Sequence, residues 1–229
     1  MSTKQEVFTL LGGRVKMHRS FYNPTSDAVW LAAFAANNAA KTILDVGIGS
    51  GGVALCLHTH NTEARITGID TSDEMLSLAE QNANLNDATF ELIHADITTW
   101  KTDKTYDLVV TNPPYFNGTP AHHNAHHNSD LSAWISRCIA RVRPMGTFCI
   151  ITDAATTAKA ISEMSKKLGD INILPLFGSK NTAERVLISG RLGTKGISII
   201  HKGTSMNCDA ILRDGLTITN ALSKISQTC

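Results

Sequence analysis

Apolar and polar positions along this chain change period repeatedly, and the changes divide it into alternating strands and helices. Residues 6–19 alternate around Gly12-Gly13, with Val7-Phe-Thr-Leu-Leu11 before it and Arg14-Val-Lys-Met-His-Arg19 after it, which predicts a β-hairpin. Tyr22-Asn-Pro-Thr-Ser-Asp27 offers capping residues ahead of the helical run Ala28–Ala36, whose Trp30 and Phe34 stand four apart on one core face. Thr42-Ile-Leu-Asp-Val46 is a short buried strand that ends in Gly47-Ile-Gly-Ser-Gly-Gly52 and leads into a helix through about His60. Arg65–Asp70 is a second strand, and Ser72 then caps a helix, with Glu74 in its first turn, that runs to about Asn84. Thr89–Ile93 and Asp107–Thr111 follow as strands, then a helix over 130–141, a strand over Gly146–Thr152 and a helix over about 155–168. Ile171–Leu176, Arg185–Gly190 and Ile197–His201 are strand-like, and the strand-helix rhythm predicts a doubly wound α/β sheet. With no internal repeat, low-complexity tract or linker-like shift, residues 1–229 read as one domain, in which 1–24 form a hairpin extension.

Composition narrows the class. Hydrophobic residues at 42% and charged residues at 18% are ordinary for a globular protein, and no apolar run approaches a membrane span. The N-terminus lacks the apolar core of a signal peptide, and Cys56, Cys138, Cys149, Cys208 and Cys229 show no CxxC spacing. The expectation is a cytoplasmic protein with reduced thiols and no membrane contact. Net charge is +1, but residues 1–130 hold 8 Lys+Arg against 14 Asp+Glu while residues 131–229 hold 13 against 6. A basic second half permits contact with a polyanion and equally permits an ordinary solvated surface.

Candidate chemistry begins at Asn112-Pro113-Pro114-Tyr115, which follows the strand Asp107–Thr111. Two prolines stiffen the loop, and it supplies an amide oxygen, a proline carbonyl and an aromatic ring. That set suits a planar amine, with two acceptors for its N–H groups and a face for stacking, although Asn-Pro is also a plain turn signal. Upstream, Asp45-Val-Gly47-Ile-Gly49-Ser-Gly51-Gly52 lies between a strand and a helix, where glycines let the backbone approach a ligand. Gly47, Gly49 and Gly52 also satisfy GxGxxG, and Asp70 lies 19 residues beyond Gly51, where a carboxylate can grip ribose hydroxyls, so a nicotinamide dinucleotide is a competing ligand. Asp45 separates the two, because a carboxylate before the first glycine attracts an ammonium group and repels a pyrophosphate. Asp96, in His94-Ala-Asp-Ile97, supplies a further acid for an adenine's amino group.

In this order and spacing, Asp45-x-Gly47-x-Gly49-x-Gly51, Asp70, Asp96 and Asn112-Pro-Pro-Tyr115 resemble the class I S-adenosylmethionine-dependent methyltransferases. Within that class they resemble the branch that methylates planar amino or amide nitrogens. The resemblance implies a Rossmann-like seven-stranded sheet with an N-terminal β-hairpin and S-adenosyl-L-methionine as cofactor. It implies that Thr25, Asp45, Gly47, Gly49, Gly51, Asp70, Asp96, Ile97 and Asn112 hold the cofactor: its methionine end over the glycine loop, its ribose at Asp70, its adenine at Asp96 and Ile97. Asn112 and the Pro113 carbonyl would accept hydrogen bonds from the target amine, with Tyr115 stacking on the base as the third catalytic residue and Phe116 assisting; a hydrophobic plug is the plainer role for the two rings.

The hairpin, Thr25-Ser-Asp27-Ala-Val-Trp-Leu-Ala33 and Gly178-Ser-Lys-Asn-Thr-Ala183-Glu-Arg185-Val-Leu-Ile188 narrow the likeness to bacterial tRNA adenine-N6 methyltransferases, which act on an adenine beside the anticodon of a valine tRNA. Family members usually carry Gly-Thr-Asp where this chain has Pro24-Thr25-Ser26-Asp27, and the stretch after Phe116 is unusual. The resemblance therefore implies a tRNA substrate, for which Lys180, Arg185, Arg191, Lys195 and Lys202 are candidate phosphate contacts acting as a cluster; a monomer is expected. His122-His-Asn-Ala-His-His127 offers pairs at zinc-ligand spacing, yet no cysteine stands nearby; a substrate-facing loop is the preferred reading and no metal is expected. Three rivals stay open: a protein glutamine N5-methyltransferase, whose primary amide presents the same planar NH2, a small-molecule O-methyltransferase, and a non-catalytic module that keeps the fold.

Overall fold

The structure is a computed structural model that describes residues 6–21, 23–36, 40–114 and 131–218. Tyr115, Phe116, the His122–His127 segment and Cys229 lie outside the described residues.

The alternating N-terminal stretch forms the expected hairpin. β1 (Val7–Leu10) and β2 (Val15–His18) pair antiparallel, joined by a 3-10 turn over Leu11–Gly13. α1 (Ser26–Ala35) starts at Thr25, whose hydroxyl accepts a bond from the Asp27 N–H at 3.3 Å. α1 is apolar on every side, as befits a helix packed all round. The sheet covers one side, and the C-terminal segment is tied to the helix by a 3.1 Å bond from Trp30 Nε1 to the Met206 carbonyl.

The chain then runs β3 (Thr42–Val46), α2 (Gly52–His60), β4 (Arg65–Asp70), α3 (Asp73–Leu85), β5 (Phe90–His94), β6 (Tyr106–Thr111), α4 (Leu131–Ile139) and β7 (Val142–Asp153). It continues through α5 (Thr157–Met164), β8 (Leu168–Phe177), β9 (Ala183–Leu192), β10 (Ile199–Ile200), β11 (Thr204–Ser205) and α6 (Asp209–Leu212). Seven long strands lie in the order β5-β4-β3-β6-β7-β9-β8, with the two-residue strands β10 and β11 added along β8. β3 to β7 run parallel, and β9 is inserted antiparallel between β7 and β8. Successive strand residues serve opposite faces. Ile43, Leu108, Val110 and Cys149 pack in the core that holds α1, α2 and α3, whereas Leu44, Val109, Phe148 and Ile150 pack in the core that holds α4 and α5. Both faces of the sheet are covered, which is why its strands read as continuous apolar runs.

Element edges differ from expectation in three places. α5 ends at Met164 rather than near 168, because Asp170 has φ +50 and Gly169 lies against the backbone of Thr194; β8 begins there instead. β7 starts at Val142, before a register shift in which Tyr106 faces Val142 and Leu108 faces Thr147. Gly146 closes that bulge, where a Cβ would lie 2.9 Å from the Asp107 carbonyl. Of Ile197–His201 only Ile199–Ile200 pairs, at the outer edge of β8.

Candidate active site

β3 and β6 are neighbours in the sheet although β4 and β5 intervene in the chain, so strand order reverses between them. Loops leaving the carboxyl ends of such strands diverge and open a crevice. β3 delivers Gly47–Gly52 to that crevice and β6 delivers Asn112-Pro113-Pro114, while the last strand residues, Val46 and Thr111, are register partners.

Hydrogen bonds pin the glycine loop from both flanks. The N–H groups of Gly47 and Ile48 donate to the Ile69 carbonyl at 2.9 and 3.0 Å, and the Gly49 N–H donates to Asp70 Oδ2 at 2.9 Å. Gly47, Gly49 and Gly51 take φ of +72°, +53° and +88°, a region that favours glycine. Gly52 is fixed for another reason: a Cβ there would sit 2.6 Å from Pro24 Cβ. Pro24 therefore lies directly on the loop, with the exposed Thr25 beside it. On the opposite flank Asn82 of α3, 0% exposed, donates from Nδ2 to the Ser50 carbonyl at 2.9 Å and accepts the His18 N–H at 2.8 Å. One turn on, Asn86 accepts the Lys16 N–H at 2.8 Å and donates to the Lys16 carbonyl at 2.6 Å. Residues i and i+4 of a helix thus meet residues i and i+2 of a strand, and α3 joins the hairpin to the loop.

Three acids line the carboxyl ends of β3, β4 and β5. Asp45 is 1% exposed. Burial pushes its carboxyl up from the ordinary 3.8 to about 7, opposed by an N–H bond from Ala54 and assisted by the nearby Asp70 charge. Its Oδ2 is buried with no partner among the described residues, an arrangement that a cationic ligand group would complete. Asp70 accepts the Ser72 N–H on Oδ1 at 3.0 Å as well as Gly49 on Oδ2, and it remains partly exposed. Asp96 is exposed; its Oδ1 takes both the N–H and the hydroxyl of Thr98, at 2.8 and 2.7 Å, and Ile97 behind it is buried in the core. An orphaned carboxylate oxygen under a glycine bend, with two accessible acids beyond it, fits an S-adenosylmethionine with its ammonium, ribose and adenine spread along the strand ends.

The second arm is organised by Thr111 and Trp134. The buried Thr111 hydroxyl donates to the Val46 carbonyl at 2.8 Å and accepts the indole N–H of Trp134 at 3.1 Å. The same indole lies 3.6 Å from the position a Cβ on Gly47 would occupy. Neither Asn82 nor Trp134 stood out in the sequence. An asparagine in a helix reads as surface, and an aromatic residue in an amphipathic helix reads as core.

Asn112 and Pro113 are partly exposed, and among the described residues neither the Asn112 amide nor the Pro113 carbonyl has a hydrogen-bond partner. With Pro114 they line a cavity shared with Asp27, Asp153 and Arg185. The Arg185 guanidinium, expected among the phosphate contacts, turns inward: Nε donates to the buried Asp27 at 2.9 Å and Nη1 to the Glu184 carbonyl at 3.1 Å. The expected basic cluster is split. Lys180 is exposed in the loop between β8 and β9, beside the carboxyl end of β7, because Arg185 pairs with Asp153. Arg191 faces Thr147, six residues back along β7, roughly 20 Å toward the far end of the sheet at strand rise. Lys195 follows it there, whereas Lys202 lies between β10 and β11 on the outer edge. Among the described residues no group of three or more His, Cys, Asp or Glu could hold a metal ion, and no helix is long and apolar enough to cross a membrane.

A seven-strand sheet in this order, with a glycine bend and an Asn-Pro-Pro loop flanking the switch point, defines an S-adenosylmethionine-dependent methyltransferase of class I. A 16S rRNA N2 G1207 methyltransferase of Thermus thermophilus, solved with its cofactor and guanosine, superimposes with a TM-score of 0.62 at 17% identity, covering 82% of this chain and 50% of that one. The chain belongs to the methyltransferase small domain family, whose model matches residues 25–175. A tRNA1(Val) (adenine(37)-N6)-methyltransferase of a Flavobacteriaceae bacterium is 31% identical over 193 residues, 81% of this chain and 83% of that enzyme. A release factor glutamine methyltransferase of Lactococcus lactis is 41% identical, but over 73 residues, 32% of this chain and 27% of that one.

Proposed function

We propose that this protein transfers a methyl group from S-adenosylmethionine to the N6 amino group of an adenine in tRNA. One observation carries the reading: the register pairing of Val46 with Thr111 sets the glycine bend beside Asn112 and the Pro113 carbonyl, two acceptors with no partner among the described residues. When bound, the cofactor supplies an electrophilic methyl group. Asp45 would meet its ammonium, Asp70 its ribose hydroxyls, and Asp96 with Ile97 its adenine, with Gly47, Gly49, Gly51 and Thr25 around its methionine end. Asn112 Oδ1 and the Pro113 carbonyl would accept the two N–H groups of the target amine, drawing its lone pair out of conjugation and holding it in line for transfer. No general base is needed for attack, because the amine becomes cationic as it attacks and loses its proton afterwards. Tyr115 and Phe116 are assigned to stacking on the base, and Lys180 to a phosphate.

The relative named for tRNA spans 81% of this chain, whereas two named for a glutamine substrate match 32% and 48% of it; length of match favours RNA. The reading implies a cytoplasmic monomer, one domain over residues 1–229 with the hairpin as its extension. Purified protein, labelled S-adenosylmethionine and bulk tRNA provide the test. N6-methyladenosine in the nuclease digest is the expected product, and label that resists nuclease but yields to protease would replace the reading by the glutamine one. Asn112→Ala should lower kcat by about 10²–10³ while changing S-adenosylhomocysteine affinity by less than about threefold.

A further inference from the structure

We infer that Trp134 is a positioning residue that holds the Asn112 arm of the site at a fixed separation from the glycine arm. This rests on the methyl-transfer reading above and adds a residue to it. α4 already docks on the sheet through Leu131, Ile135, Cys138 and Ile139, which are buried. Trp134 stands at the edge of that stripe, partly buried against the same core, and its ring lies 3.6 Å from where a Cβ on Gly47, the first residue of the cofactor bend, would sit. Its N–H reaches Thr111, whose hydroxyl passes the link to the Val46 carbonyl. Val46 immediately precedes the glycine bend and Thr111 immediately precedes Asn112. One indole therefore reaches both arms: Gly47 itself on one side and, on the other, Thr111, one residue before Asn112.

The chemistry makes such a brace consequential. Methyl transfer needs donor and acceptor in line at near contact, and a misplacement of about 1 Å can cost on the order of 10²-fold in rate. The strand pairing of β3 with β6 ends at Val46 and Thr111, so beyond that pair no ladder bond fixes the two loops against each other. Thr111 Oγ1 and the indole extend the coupling past the last rung. Removing the indole N–H leaves Thr111 bonded to Val46 but takes away the partner that ties it to α4 and to the face of Gly47.

Hydrogen exchange read by mass spectrometry, with and without S-adenosylhomocysteine, tests this independently of the methyl acceptor. In the wild-type protein the ligand should slow exchange at Asn112. Trp134→Phe keeps a ring and loses the N–H; Thr111→Val keeps the shape and loses the hydroxyl. Both should bind S-adenosylhomocysteine with a Kd within about threefold of wild type yet lose the protection at Asn112, and the double variant should be no worse than either single one. Thr111→Ser, which retains the hydroxyl, should keep the protection. On tRNA, Trp134→Phe should lower kcat by about tenfold or more with KM little changed. Absence of ligand-induced protection at Asn112 in the wild type, its persistence in Trp134→Phe, or a parallel loss of ligand affinity would overturn the inference. If the exchange pattern holds while wild-type protein labels no tRNA, the tRNA reading fails and the brace stands.

Discussion

Asp45 is the most deeply buried carboxylate among the described residues. Buried with Oδ2 unpartnered, it is half protonated at about pH 7. An acid whose pKa is higher folded than unfolded holds its proton more tightly in the native state. Its contribution to stability is complete below 3.8, falls as pH rises between 3.8 and about 7, and is absent above that. Asp45→Asn apoprotein should therefore melt above wild type at pH 8, with the difference much smaller at pH 5, as calorimetry can measure. Pairing with a ligand ammonium needs the ionised form, so S-adenosylhomocysteine affinity should rise from pH 6 to pH 8 in wild type and stay flat in Asp45→Asn by titration calorimetry.

At the scale of elements, α3 ties the hairpin to the glycine loop through polar groups. Asn82→Ala would strand the buried Ser50 carbonyl and the part-buried His18 N–H, at a cost of about 1–3 kcal/mol read from the denaturant midpoint, and should also weaken S-adenosylhomocysteine binding. Among the described residues the Asn86 side chain hydrogen-bonds with Lys16 and the helix alone, so Asn86→Ala should cost stability while leaving ligand affinity unchanged. These contacts also explain what could be read from the chain and what could not. Thr42–Val46 forms β3 over the very span its apolar run predicts, because a strand covered on both faces writes its burial into consecutive residues. The glycine bend and Asn112 loop were legible because backbone freedom and rigidity each demand particular residues. Asn82 meets partners 32 and 64 residues away, and Trp134 one 23 residues away, and no local pattern encodes such distances. The ends of α5 and β7 were misplaced for a similar reason: Gly169 answers to Thr194, and Gly146 to Asp107.

For the molecule as a whole, charge placement matters more than total charge. Lys180 lies beside the carboxyl edge that carries Asn112 and Lys202 on the adjoining outer edge, whereas Arg191 and Lys195 face the opposite end. If tRNA docks over the crevice, replacing Lys180 and Lys202 with glutamine should reduce the slope of log K against log salt by about 1 per phosphate contact removed. The same change at Arg191 and Lys195 should leave the slope intact, as fluorescence anisotropy across a salt series would show.

β9 enters the sheet last among the long strands yet lies between β7 and β8. A nascent chain that has emerged only as far as Phe177 consequently owns two ribbons that cannot meet, since a vacancy one strand wide separates them. Ribosome-stalled fragments ending before Ala183 should thus cling to chaperones and pellet on centrifugation, whereas fragments extended past Leu192 should remain in the supernatant. The late insertion makes the emergence of β9, rather than of the first hundred residues, the event that closes the gap in the sheet.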